Sequence, residues 1–172
     1  MEQSLFSRKT PWLLLPPVAL CTLDNCLTLY GQSNAYWAGD YSEVNEASPS
    51  FAHFLSIHPL IFLLAVVLWI AIFSALILLL PEMLALTVAV AIVIGQTYGA
   101  STWLMYRFHS YQSCSLLFLV TSGLIVFTIK RGQNNDGSSA FNWQRTGLPS
   151  WTRWLAILVL AVLPVWWFLI PH

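Results

Sequence analysis

Residues 60–84 read LIFLLAVVLWIAIFSALILLLPEML, and up to Leu80 this run contains one polar side chain, Ser74. A helix needs about 20 apolar residues to cross a hydrocarbon core about 30 Å thick, and residues 59–80 supply them. Apolar sequence resumes directly after Pro81 and Glu82 and continues to Tyr106. A single straight helix over both runs would be about 70 Å long at 1.5 Å per residue, more than twice what a bilayer requires. Pro81 and Glu82 therefore predict a tight helical hairpin. Proline suits the first position of the second helix, and the acid suits its positive N-terminal end.

Working outward from this hairpin, three more apolar stretches complete five expected spans: about 11–30, 59–80, 82–106, 112–130 and 152–170. The whole chain fits one membrane domain. Its composition agrees, with 58% hydrophobic and 8% charged residues, where an ordinary soluble domain carries about 25% charged residues. So few charges cannot solvate a surface. The formal net charge of zero argues against nucleic acid as a partner. The expected fold is thus all-α, a polytopic bundle of five transmembrane helices plus one short interfacial helix.

Orientation follows from the seven basic residues. With the N-terminus in the cytoplasm, Arg8, Lys9, Lys130, Arg131, Arg145 and Arg153 are all inside and Arg107 alone is outside, as the positive-inside rule requires. The 31–58 loop, with Asp40, Glu43 and Glu46 and no basic residue, is then extracytoplasmic, as is the C-terminus. Arg8 and Lys9 precede an apolar stretch in the order of a signal peptide, but no small-x-small cleavage site follows. The first stretch is therefore expected to remain as a span, and the bacterial inner membrane is the expected location. The inner loop, 131–151, is rich in Gly, Asn and Ser and reads as a linker.

Within the outer loop, SPSFAHFLSI (48–57) carries Ser48 at an N-cap position and Pro49 at the first helical position. Phe51, Phe54 and Leu55 share a face, predicting a short helix at the membrane interface. His58 precedes Pro59, so this helix should break there.

The residues that could carry function lie in two of the spans. In CTLDNCLTLYGQ (21–32), the side chains of Cys21, Asp24, Asn25 and Thr28 recur at three- and four-residue spacing on one face that continues to Gln32. Asp24 sits near mid-span, where an aspartate costs about 2.5–3.5 kcal/mol on insertion scales. Such a residue either hydrogen-bonds a neighbouring helix as structural glue or serves as a proton relay or ligand contact. In the third span, Ala91, Gly95 and Gly99 form a small-residue stripe suited to close helix packing. Gln96, Thr97, Tyr98, Ser101 and Thr102 make that span's outer half polar. The first and third spans are expected to meet there around an outward-facing pocket of Asp24, Asn25, Thr28, Gln96 and Tyr98.

His53, His58 and His109, with Glu46 and Asp40, collect on the same side, and such groups could bind zinc. Their spacing matches no helical zinc motif, and H-E-x-x-H is absent. No metal or other cofactor is expected. Cys21, Cys26 and Cys114 are read as packing residues. There is no nucleophile–base set and no phosphate loop.

Asp24 and Thr28 in LDNCLT, with Glu46, Ser48 and Pro49 in VNEASPSF, form a pattern that resembles a bacterial family of small multi-spanning membrane proteins of unknown function. That family carries Asp-x-x-x-Thr in its first helix and Glu-x-Asn-Pro before its second, with Ser48 here in place of the asparagine. The resemblance covers residues 20–60. It implies that Asp24 and Glu46 belong to one structural unit, and it supplies no activity.

Three functions follow as expectations. The first is a non-enzymatic accessory or envelope-assembly component that contacts other membrane subunits, or a second copy of itself, through the Ala91/Gly95/Gly99 stripe. The second is a small transporter or ligand-binding protein built on the Asp24 pocket. The third is an extracytoplasmic metal-dependent enzyme.

Overall fold

A computed structural model describes residues 10–80 and 82–134, together with Trp151. The described residues are helical, without strands. In chain order they form α1 (Thr10–Leu13), α2 (Leu15–Tyr30), α3 (Asn34–Trp37), α4 (Pro49–Ile57), α5 (Pro59–Leu79), α6 (Glu82–Thr102), a π-helical turn (Trp103–Arg107) and α7 (Tyr111–Asn134). Among the described residues three segments are long and apolar enough to cross a membrane: Pro59–Leu79, Leu84–Arg107 and Tyr111–Arg131. The expected fifth span, 152–170, and most of the 131–151 loop lie outside the described residues.

The first expected span is not one continuous helix. It divides at Leu14 into α1 and the 16-residue α2. Pro16 and Pro17 explain the division, since neither has an N–H to bond the preceding turn, and both are tolerated at the start of a new helix. At the hairpin, α5 stops where Leu80 turns extended, at φ −78° and ψ 153°, as a residue preceding proline must. Glu82 then opens α6 two residues later.

Helix α2 buries one face and leaves Thr22, Leu23, Cys26 and Tyr30 exposed. It packs against α5, α6 and α7, most extensively against α6. Near the hairpin end, Cys21 packs with Phe73 and Ile77 of α5 and with Ala85 and Ala89 of α6. A second cluster joins Leu20 of α2 with Val93 and Ala100 of α6 and Leu117 of α7. The small residues Ala85, Ala89 and Ala100, spaced in register with Val93 and Thr97, form the buried face of α6. By contrast, α5 leaves Leu60, Leu64, Val67, Leu68 and Leu79 at least 60% exposed. A contiguous apolar face of this extent suits contact with lipid rather than water.

The 31–58 segment folds back over the end of the bundle remote from the α5–α6 hairpin. Ser33 caps α3 by accepting from the Tyr36 N–H. Tyr36 is fully buried with Leu55 and Phe62, and its hydroxyl donates to the Leu55 carbonyl at 3.1 Å. Burial, and then the neighbouring Tyr41, holds the Tyr36 phenol above its ordinary pKa. Helix α4 begins at Pro49, as its sequence predicts, and it breaks at His58, whose backbone is extended. Its Phe51, Phe54 and Leu55 rest on protein, packed with Phe62 and Val66 of α5. The loop is therefore an ordered cap on the bundle.

Candidate functional site

Asp24, Thr28 and Gln32 follow one another at four-residue intervals along α2 and its C-terminal end, and each faces the cap or α6. Gln32 forms a two-way clamp on the cap. Its Nε2 donates to the Asn45 carbonyl at 2.9 Å, and its Oε1 accepts from the Asn45 N–H at 2.9 Å. That clamp places the next residue, Glu46, above Thr28. One Glu46 oxygen accepts from the Ser48 N–H at 2.7 Å, and the other lies 3.4 Å from the Thr28 hydroxyl that donates to it.

The opposite wall belongs to α6 and its π-helical extension. Tyr98, Gly99, Thr102, Trp103, Tyr106 and Arg107 recur on one helical face and line the same cavity as Asp24, Thr28, Asn45, Glu46, Ala47 and Ser48. The cavity is an open cleft of about 650 Å³, within the range typical of small-molecule sites. Two close approaches fix the α2–α6 geometry. The Asp24 carboxyl lies directly over Gly99, where a β-carbon would collide with it. The Trp103 ring lies equally close over Gly31.

Arg107 completes the junction. Its Nε donates to the Gly31 carbonyl at 3.1 Å, placing a positive charge at the C-terminal end of α2, where the helix dipole favours one. The π-helical turn, closed by the Phe108 N–H bonding the Trp103 carbonyl at 3.1 Å, carries Trp103, Tyr106 and Arg107 past the end of α6. Single π turns often mark functional positions.

Asp24 itself forms no hydrogen bond and no ion pair among the described residues. A carboxyl serving as glue between helices would bond a donor on the neighbouring helix. Here its neighbour is a glycine and the open cleft.

The structure brings Asp24, Thr28, Tyr98 and Glu46 to one cavity, with Tyr98 71% exposed. Asn25 is buried and turned back on its own helix, donating to the Cys21 carbonyl at 2.7 Å. Gln96 lies outside the cavity wall, its Oε1 buried without a hydrogen-bond partner among the described residues. Of the Ala91/Gly95/Gly99 stripe, Gly99 lies at the α2 contact, while Ala91 and Gly95 are exposed. His58 accepts from the Leu60 N–H through Nδ1 and so caps α5. His53 is exposed on α4, and His109 turns the chain with φ 51°. No group of three or more metal-ligating side chains occurs among the described residues. Cys21, Cys26 and Cys114 are free thiols.

Sequence reading did not place Asn45, Trp103, Tyr106 or Arg107 in the pocket, nor Gln32 in the clamp beside it. For the α6 wall a signal existed: positions 98, 99, 102, 103 and 106 keep a helical period through the aromatic end of the span. The Gln32–Asn45 clamp joins residues 13 apart across a loop, and no local period shows such a contact.

The clamp yields a test. Gln32→Leu removes both bonds and leaves the Asn45 N–H and carbonyl without them. Amide hydrogen exchange at residues 44–48 should accelerate at least tenfold while α5 and α6 stay protected. Unchanged exchange there would show that the cap is held by its aromatic core alone.

Among the described residues, fold and site together form an all-helical assembly with three helices long and apolar enough to cross a membrane and an acid-lined cleft at one end. No family model, curated protein or solved structure matches the chain.

Proposed function

We propose that this protein is a bacterial inner-membrane protein that binds or carries a small ligand in the cleft between α2, α6 and the 31–58 cap. In this reading the N-terminus is cytoplasmic, five helices span the bilayer, α2 among them, and the cleft opens to the extracytoplasmic side. The single observation that carries it is the unpartnered Asp24 carboxyl lining an open cavity. Ionisable groups within spanning segments are costly and characteristically face substrate paths or wet cavities. The Glu46 loop clamped above the cavity and the aromatic wall below supply the convergent polar and apolar lining of a ligand site.

The exposed Ala91 and Gly95 support a second, compatible reading. A small-residue face left open by this chain suits close contact with another membrane subunit or a second copy.

Thiol labelling tests both the cleft and its orientation. In a background with Cys21, Cys26 and Cys114 replaced by alanine, Thr102→Cys should react with a membrane-impermeant thiol reagent added to intact spheroplasts. Buried Ala100→Cys should not. Reaction only in inverted vesicles would overturn the orientation. No reaction from either side would overturn the water-filled cleft.

A further inference from the structure

We infer that the ligand of the Asp24–Glu46 cleft is a small organic cation, an amine or quaternary ammonium compound. This assignment rests on the ligand-binding reading above and names the chemistry of that ligand. Two carboxylates line the cleft, and neither has an ion pair among the described residues. Among the described residues Glu46 is met only by the neutral Ser48 N–H and Thr28 hydroxyl, and Asp24 by no donor. Among the described lining residues the one base is Arg107, anchored through Nε to the Gly31 carbonyl at the end of α2. Among the described residues the lining thus holds two acids and one base, and a monovalent cation bound there would favour the charged form of both acids.

The rest of the wall decides between kinds of cation. Tyr98, Trp103 and Tyr106 present aromatic surface to the cleft. Aromatic faces attract ammonium groups, worth about 2 kcal/mol or more when the contact is desolvated. A hard metal ion instead prefers six or more oxygen ligands, and among the described residues no cluster of three His, Cys, Asp or Glu side chains is available to hold one. A neutral ligand would bring no counter-charge to the acids, and an anion would oppose their ionisation. The volume of about 650 Å³ leaves space for an organic body beyond the charged group. The pairing of acids with aromatics in one cleft is therefore the feature that selects the ligand.

The test compares charged probes with uncharged isosteres on the full chain in lipid nanodiscs. Choline is set against 3,3-dimethylbutanol, and phenethylammonium against phenethyl alcohol, with phenylpropionate as the anionic probe. Binding is followed by calorimetry, with calcium and magnesium chloride as metal controls. At least one cation should bind at least tenfold more tightly than its isostere. Asp24→Asn and Glu46→Gln, which conserve shape, should each weaken it about tenfold while helicity by circular dichroism is unchanged. Equal or tighter binding of an isostere or of phenylpropionate overturns the cation assignment and leaves the ligand site standing. Asp24-dependent binding of calcium or magnesium in place of the amines also overturns it. If no probe binds, the cation assignment fails, and the Thr102→Cys labelling separately decides whether the cleft reading fails with it.

Discussion

Asp24→Leu should raise the stability of the folded protein, and Asp24→Asn should leave it unchanged or slightly higher. In ordinary bundles, removing a buried polar group that bonds a neighbouring helix costs stability. Asp24 has no such bond to lose. It lies on α2, packed among α5, α6 and α7, with its carboxyl over Gly99 and beside the cleft. With α2 spanning the bilayer, as proposed, an aspartate near its centre costs about 2.5–3.5 kcal/mol on insertion scales. Because Asp24 is half-buried and reaches the cleft, only part of that cost applies, and a gain of about 1–2 kcal/mol is expected for leucine. Residues kept for function at the expense of stability behave in this way. Reversible unfolding in bicelles measures the difference. A loss above about 1 kcal/mol in both variants would identify Asp24 as architectural glue.

The sequence was most legible where lipid imposes the rule. Uninterrupted apolar runs can do little but span, so the Pro59–Leu79, Leu84–Arg107 and Tyr111–Arg131 helices stand close to the boundaries expected from hydropathy alone. Ser48-Pro49 and His58-Pro59 were equally plain, because proline restricts the backbone whatever surrounds it. The period of four placed Asp24, Thr28 and Gln32 on one face. What a period does not encode is the side-chain rotamer: Asn25 satisfies itself on the Cys21 carbonyl although it neighbours Asp24 on the helix. Nor does a small-residue stripe announce which face is used. Alanines 85, 89 and 100 are buried, whereas Ala91 and Gly95 are left open. The break at Leu14 was written in Pro16 and Pro17, yet apolar continuity masked it. The cap's attachment depends on Gln32 meeting Asn45, a pairing that exists only after the loop has closed.

Gly99 provides the sharpest test of the α2–α6 contact, because its missing side chain is what admits Asp24. Even a single β-carbon there would collide with the Asp24 carboxyl. Gly99→Val should therefore push α2 from α6 and displace the Trp103 ring from its seat over Gly31. Overpacking of a well-fitted contact costs typically about 1–3 kcal/mol, and a branched residue at this point belongs at the upper end. The expected result is a large loss of stability in bicelles, together with altered Trp103 emission measured against a Trp103→Phe control. The origin of the loss can be isolated by a second substitution. Asp24→Ala removes the colliding group, so in the double variant most of the loss should return, giving a coupling energy of at least about 1 kcal/mol. Additive effects would mean that the introduced valine is opposed by the helix backbone rather than by Asp24. Strong coupling would show that residue 99 sets the position of the carboxyl, and with it the depth of the cleft that Glu46 overhangs.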